Sequence, residues 1–160
     1  MSTTKSFLLW KLGIAGLSLL CAIAVYGLVR PHPPVLFESL SANLSYPPTL
    51  TAIFGSAPSF FYTLAVGLLL GVCAGSMRSA KWHCLLWVSI VLAFEVLQLP
   101  SLSVKLAQWL QLLLPERAWH YFGAYWTHGS FDPLDMLAAL AGGLIALFLL
   151  LRLQDGKRDA

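Results

Sequence analysis

Charge is what this sequence has least of. Only 11% of its 160 residues are charged and 58% are hydrophobic, whereas soluble domains usually carry about 25% charged residues. A soluble fold of this length could not bury so much apolar surface without leaving large exposed patches. The composition therefore excludes an ordinary soluble domain and indicates a membrane protein, and the length predicts one domain over residues 1–160.

Several kinds of functional site are also missing. The ten basic residues are scattered and form no basic face interleaved with aromatics, so we expect no nucleic-acid partner. The three cysteines lie in or beside apolar runs without metal-ligand spacing, which predicts small apolar residues rather than disulfides or metal ligands. The sequence has no HExxH, GxSxG or clustered Ser–His or Cys–His signature. We therefore predict no metal and no cofactor, and no catalytic motif argues for an enzyme.

Long apolar runs, in contrast, are abundant. A helix needs about 20 residues to cross a bilayer, and helices satisfy their own backbone hydrogen bonds in lipid. Four runs meet this length, namely residues 7–29, 59–77, 82–99 and 133–151. The alternating pattern of membrane barrel strands is absent. The sequence thus predicts an all-α polytopic membrane protein with four transmembrane helices.

The first run has two interpretations. Lys5 and Lys11 form a basic start, and Ala22-Ile23-Ala24 resembles the cleavage site of a signal peptide. The run is nevertheless long enough to span a bilayer. We favour a retained anchor, with a cleaved signal peptide as the alternative.

Basic residues divide unequally between the two sides that four spans define. One side carries Lys5, Lys11, Arg78, Lys81, Arg152, Lys157 and Arg158, and the other carries Arg30, Lys105 and Arg117. Because cytoplasmic loops are rich in Lys and Arg, we predict that both termini are cytoplasmic. Connections 30–58 and 100–132 then face outward.

The second outward connection contains a further predicted helix. Residues 103–114 place Lys105, Gln108 and Gln111 among apolar side chains, which is typical of an amphipathic helix in the membrane interface. An aromatic-rich segment follows, with Trp119, Tyr121, Phe122, Tyr125 and Trp126. We favour anchoring at head-group level for these aromatics, with substrate stacking as the alternative.

Small residues recur on two of the predicted spans. They are Gly67, Gly71 and Gly75 on the second span, and Ala138, Gly142 and Ala146 on the fourth. Such faces let helices approach closely in lipid. We predict packing within the chain, with a dimer interface as the alternative.

The candidate site lies where the third span ends and the fourth begins. The third span runs outward and the fourth inward, so their polar ends come to similar depth near the outer face. At ~1.5 Å per residue, the acid of the third span lies roughly 7 Å below its end. The sequence predicts an outward-facing groove lined by Glu95, Gln98, His128, Asp132 and Asp135.

Helix capping competes with this interpretation. Asp132 before Pro133 fits an N-cap, and Asp135 would complement the helix dipole or close a capping box. Glu95 lies within an apolar run, where a charge is unfavourable by at least ~2.5–3.5 kcal/mol near the bilayer centre. We therefore favour a site role for Glu95. For His120 and His128 we favour interfacial hydrogen bonding over ligand binding.

Two short motifs carry a family resemblance. Glu95-x-x-Gln98 lies near the end of one span, and Phe131-Asp132-x-x-Asp135 leads into the last. In these motifs and in the four-helix layout, the chain resembles the VanZ-like family of small bacterial membrane proteins. The resemblance implies an inner-membrane protein connected with the cell envelope, in a family with no established biochemical activity.

The chain also departs from that family. The family often carries an Arg just before the first Asp, where this chain has His128-Gly129-Ser130. It often carries an Asn one turn into the last helix, where Ala139 stands. His128 is a candidate substitute for the missing Arg.

We expect a multi-pass protein of the bacterial inner membrane whose polar site binds the head group of a membrane lipid or a lipid-linked envelope precursor, or another membrane protein. One alternative is a membrane-embedded hydrolase or transferase that uses Glu95 with Asp132 and Asp135. A second is a structural membrane subunit in which these acids only cap and pair.

Overall fold

Helices make up the regular structure of the chain in a computed structural model, which describes residues 2–29, 54–116, 118–119 and 131–155. Side chains are described over the same residues except 2–7, 26–29 and 153–155. The helices are α1 (Ser2–Val29), α2 (Ala57–Cys73), α3 (Met77–Leu97), α4 (Pro100–Leu113) and α5 (Pro133–Asp155). No strand occurs in this part of the chain, which confirms the all-α prediction there.

Three of these helices are long and apolar enough to cross a membrane. Their candidate spans are Leu8–Val25 in α1, Met77–Leu97 in α3 and Pro133–Arg152 in α5. The outside of the bundle agrees with a lipid environment, because large apolar side chains such as Trp10, Leu86 and Leu144 are exposed. These helices suggest a membrane protein. The apolar helix α2 has 17 residues, which give it a length of about 25 Å against a hydrocarbon core of about 30 Å.

The junction between α2 and α3 differs from its predicted position. α2 ends at Cys73 and α3 begins at Met77, whereas the apolar runs placed these bounds at 77 and 82. Ser76 is the N-cap of α3, and its hydroxyl accepts a hydrogen bond from the Ser79 backbone N–H at 3.2 Å. A serine cap starts a helix regardless of hydropathy, so basic residues 78 and 81 lie within α3.

Pro100 sets the junction between α3 and α4. The residue before it, Leu99, has an extended backbone with φ −53° and ψ 132°, because proline disfavours the helical conformation in its predecessor. Pro100 then starts α4, where its missing N–H removes no helical hydrogen bond. The polar residues at the end of α3 are therefore held beside the first turn of α4.

The shortest apolar helix lies in the middle of the bundle. α2 contacts α1, α3 and α5. The main buried cluster joins these four helices and consists of Ala15, Leu64, Leu68, Cys84, Ala146 and Leu150. The core of this protein is thus built around α2.

Glycines set the direction of α5 relative to α2. A Cβ on Gly67 would lie 3.0 Å from the Cβ of Ala146, and one on Gly71 would overlap Leu150. Because both contacts advance by four residues on each helix, α2 and α5 are parallel. The predicted close packing within the chain is confirmed for Gly67 and Gly71. It is wrong for Gly75, which lies beyond the end of α2 and where a Cβ would meet nothing within 4 Å.

α3 runs against both of these helices. The Cys84 sulfur lies opposite Gly67, whereas the Trp87 ring packs edge-on against Tyr62 at 5.2 Å between centroids. Residue numbers rise on α3 as they fall on α2, so the two helices are antiparallel. The Cys84 thiol also donates a hydrogen bond to the Gly143 carbonyl at 3.6 Å, which ties α3 to α5.

Candidate functional site

Glu95 and Gln98 belong to the buried stripe of α3. The other members of this stripe are Ala80, Cys84 and Val91, and spacings of three, four or seven residues keep all of them on one helix face. Gln98 is only 8% exposed. Glu95 is half-buried, and its Oε2 atom is inaccessible to solvent. Both side chains therefore face the bundle rather than lipid.

Asp135 occupies the corresponding stripe of α5. It precedes the buried residues Ala139, Gly142 and Ala146 at intervals of three or four. Only 5% of Asp135 is exposed, and its Oδ1 atom is inaccessible to solvent. A carboxylate in the first turn of α5 thus faces the interior of the bundle.

One contact sets the relative level of these two acids. Val88 of α3 packs over Gly143 of α5, where a Cβ would overlap the valine side chain. Glu95 lies seven residues after Val88, and Asp135 lies eight residues before Gly143. At ~1.5 Å per residue these intervals are about 10 and 12 Å. Because α3 and α5 are antiparallel, the two acids lie at nearly the same level.

The first turn of α2 lies at this level too. Extending the contacts of Gly67 with Ala146 and of Gly71 with Leu150 towards the N-termini brings Asp135 level with Ser56. Ser56 is the N-cap of α2, but its side chain makes no capping hydrogen bond. The N-termini of α2 and α5 therefore lie at the level of Asp135, and a helix N-terminus favours a negative charge.

Asp132 has a defined local role. Its Oδ1 atom accepts a hydrogen bond from the Leu134 backbone N–H at 2.9 Å, and its carbonyl accepts one from the Asp135 N–H at 3.1 Å. This is the geometry of an N-cap followed by proline at the first helical position. The capping interpretation of Asp132 is confirmed.

The predicted site residues thus fall into three groups. Glu95, Gln98 and Asp135 share one end of the bundle and face inward. Asp132 caps the helix that carries Asp135. His128 lies outside the described residues, as do His120 and the aromatic-rich segment except Trp119.

Sequence reasoning missed Thr63 of α2. This residue has no exposed surface, and its Oγ1 atom has no hydrogen-bond partner among the described residues. It lies one turn before Gly67, on the helix end that leads towards Glu95 and Asp135. The four-residue spacing of the glycine ridge, extended back by one turn, would have identified Thr63 as an interior position.

Neither the metal-ligating side chains nor the surface depression adds a residue to the predicted site. Among the described residues, no group of three or more His, Cys, Asp or Glu side chains could hold a metal ion. A shallow depression of about 330 Å³ lies on α1, lined by Leu9, Trp10, Gly13, Ile14 and Leu17. Its lining is apolar and includes none of the predicted site residues.

The chemistry of the polar end follows from the hydrogen-bond acceptors that it contains. Two carboxylates and one amide oxygen are hydrogen-bond acceptors, in surroundings where electrostatic interactions are stronger than in water. An ammonium group or a set of hydroxyls is a complementary ligand. Phe94 and Val96 beside Glu95 are exposed, so the half-buried Glu95 is the member of the set nearest the outside.

Comparison of the chain with protein-family models, with curated proteins and with solved structures gave no match. The resemblance of the two acidic motifs to the VanZ-like family stays a prediction.

Proposed function

We propose that this chain is a four-span protein of the bacterial inner membrane that binds the polar head group of a membrane lipid or of a lipid-linked envelope precursor. Glu95, Gln98 and Asp135 form the binding site. One observation carries the proposal: the contact of Val88 with Gly143 puts both acids at one level, on faces that point into the bundle.

The register of α2 supports a fourth span. Its contacts place residue 54 level with Pro133 and Cys73 level with Arg152. α2 and the turn before it therefore run alongside the whole candidate span of α5, Pro133–Arg152. Because α2 also contacts the other two candidate spans, this register supports the proposal that α2 is a fourth span.

The exposed surface of α4 supports a location in the membrane interface. α4 has 14 residues, which is too few to span a bilayer. It contacts α3, and Ser103 and Ala107 are its buried residues, while Leu112 is 85% exposed and Trp109 is also exposed. A short helix whose exposed side carries large apolar residues together with Lys105, Gln108 and Gln111 supports the proposed interfacial helix, although it begins at Pro100 and not at residue 103.

The distribution of charge supports the proposed orientation. Arg78, Lys81 and Arg152 lie at the end of the bundle opposite Glu95 and Asp135. With the basic end in the cytoplasm, both termini are cytoplasmic and the acids face the envelope. The two motifs that resemble the VanZ-like family lie at that outward end.

The acceptor groups of the site limit which head groups it can bind. Carboxylates repel phosphate but bind ammonium groups and hydroxyls, as found in amine-bearing or sugar-bearing head groups. Glu95 contacts the head group first, because it is the least buried of the three side chains. Gln98 and Asp135 lie behind it and orient the bound group.

Mass spectrometry of lipids that co-purify with the protein tests this proposal. The wild-type protein should retain one amine- or hydroxyl-bearing lipid above its abundance in the membrane, and Glu95→Gln and Asp135→Asn should lose most of that excess while still folding. Glu116→Gln is the matched control, because Glu116 is exposed and lies outside the site. Identical lipid profiles in all four proteins would contradict the proposal.

A structural membrane subunit is the second candidate, and two observations favour it. Asp132 caps α5, and Asp135 is buried in the first turn of α5, level with the N-cap of α2. If the acids serve folding alone, Glu95→Gln and Asp135→Asn will lower stability without altering the retained lipids. The alternative of a hydrolase or transferase that uses Glu95 with Asp132 and Asp135 stays a prediction.

A further inference from the structure

Two cations lie on one flank of α3, beside α5. Arg78 and Lys81 occupy the first turns of α3, and both are exposed. Val88, which contacts α5, marks the side of α3 that faces that helix. At 100° per residue, Lys81 lies close to this side and Arg78 lies on its outer flank. Both cations therefore border the outer groove between α3 and α5.

The groove itself is apolar. Leu85 follows Arg78 by seven residues on the same flank of α3, and Leu144 and Leu151 lie on the adjacent flank of α5. All three leucines are exposed. Trp82, which is 64% exposed, lies beside the cations and is of the residue type that concentrates at the level of lipid head groups. The groove thus has cations at one end and apolar side chains along the rest of its length.

The cations are available to a ligand from outside. Among the side chains that the structure describes, which do not include that of Asp155 at the end of α5, neither Arg78 nor Lys81 forms an ion pair with a carboxylate. The acids with described side chains are Glu95, Glu116, Asp132 and Asp135, and all four lie towards the other end of the bundle or on the segment after α4. Arg152 adds a further positive charge at the basic end, where its guanidinium lies over the Phe148 ring at 5.3 Å.

We infer that the groove between α3 and α5 binds one anionic phospholipid of the surrounding bilayer. Arg78 and Lys81 contact its phosphate beside Leu151, and Leu85 and Leu144, which lie closer to the Val88–Gly143 contact, contact its acyl chains. Basic pockets between helices at one membrane surface recognise acidic head groups in this way. The groove is separate from the polar end that contains Glu95 and Asp135, so the two sites require opposite head-group chemistry.

Native mass spectrometry of the protein released from mixed bilayers tests this inference. The protein is reconstituted in nanodiscs of equal phosphatidylglycerol and phosphatidylcholine. The wild type should retain phosphatidylglycerol in preference to phosphatidylcholine. Because each basic residue near a membrane surface contributes about fivefold to binding of acidic lipid, Arg78→Gln and Lys81→Gln should each lower the preference by about that factor.

Lys105→Gln provides the matched control. Lys105 is also an exposed cation, but it lies on α4 near the opposite end. Its substitution should leave the preference for phosphatidylglycerol unchanged. The inference is wrong if the wild type shows no preference, if Arg78→Gln with Lys81→Gln retains the full preference, or if Lys105→Gln loses as much. Circular dichroism of each variant confirms that the helices persist, since both substituted side chains are exposed.

Discussion

Val88 of α3 packs over Gly143 of α5, and this contact places Glu95 level with Asp135. The two acids lie about two helical turns away from the contact, on the faces that point into the bundle. Their alignment therefore depends on the contact between a valine and a glycine.

The effects on stability of substituting Gly143 and of substituting Val88 should be strongly non-additive. Gly143→Ala places a methyl group against Val88 and should lower the free energy of unfolding by about 1–3 kcal/mol, as overpacking does. Val88→Ala removes the opposing methyl groups and should relieve much of that effect. Unfolding in mixed micelles, followed by tryptophan fluorescence, measures the stability of the wild type, the two single variants and the double variant.

For two residues in contact, the combined effect of two substitutions on the free energy of unfolding usually differs from the sum of the single effects by about 0.5–3 kcal/mol, whereas the effects at distant residues add. A coupling of this size between Gly143→Ala and Val88→Ala is the expected result. Simple additivity would show that α3 and α5 do not meet here, and it would remove the basis for placing the acids at one level.

Gly142 should tolerate a side chain even less well. A Cβ there would overlap the carbonyl oxygen of Phe60, a backbone atom that cannot turn aside as a side chain can. Gly142→Ala should therefore lower the melting temperature in detergent. Gly75→Ala is the control, because a Cβ on Gly75 meets nothing within 4 Å. Equal melting temperatures for the two variants would argue against close packing of α2 and α5.

The cap of α5 makes a separate prediction. Asp132→Ala removes the acceptor for the Leu134 N–H and should be destabilising by about 1 kcal/mol. Asp132→Asn keeps an oxygen in the same place and should retain most of the stability. Chemical unfolding of the three proteins tests this. If Asp132→Asn is as unstable as Asp132→Ala, the charge matters more than the hydrogen bond.

The proposed orientation can be checked in cells. A reporter that is active only in the cytoplasm, fused after residue 160, should be active because the basic end of the bundle faces inward. The same reporter inserted between residues 114 and 115, after α4, should be inactive. The reverse pattern would place Glu95 and Asp135 on the cytoplasmic side and exclude an outward-facing site.

Much of this arrangement follows from simple sequence patterns. Hydropathy predicts the helical class, and the four-residue spacing of Gly67 and Gly71 predicts their close packing, because both reflect periodicity within one helix. The alignment of Glu95 with Asp135 follows from counting residues in antiparallel helices. Asp132 before Pro133 has the local signature of a cap.

Other features depend on tertiary structure or on single polar atoms. Hydropathy placed the start of α3 at 82, but the hydroxyl of Ser76 starts that helix five residues earlier. The burial of Thr63 results from its contact with neighbouring helices, and hydropathy averaged over a run does not register one hydroxyl. The alignment of Ser56 with Asp135 depends on the register between α2 and α5, which cannot be read from either helix alone.

Cross-linking of Glu95→Cys with Asp135→Cys tests the central claim most directly. The background carries Cys21→Ala, Cys73→Ala and Cys84→Ala, so that no native thiol reacts. Packed helix axes lie about 8–10 Å apart, so a short thiol-to-thiol reagent applied in membranes should link residues 95 and 135 within one chain. The control pair, Glu95→Cys with Leu151→Cys, spans most of the bundle and should stay unlinked. Linkage of 95 to 135 alone is the predicted result; no linkage of that pair, or equal linkage of both pairs, would contradict a shared site.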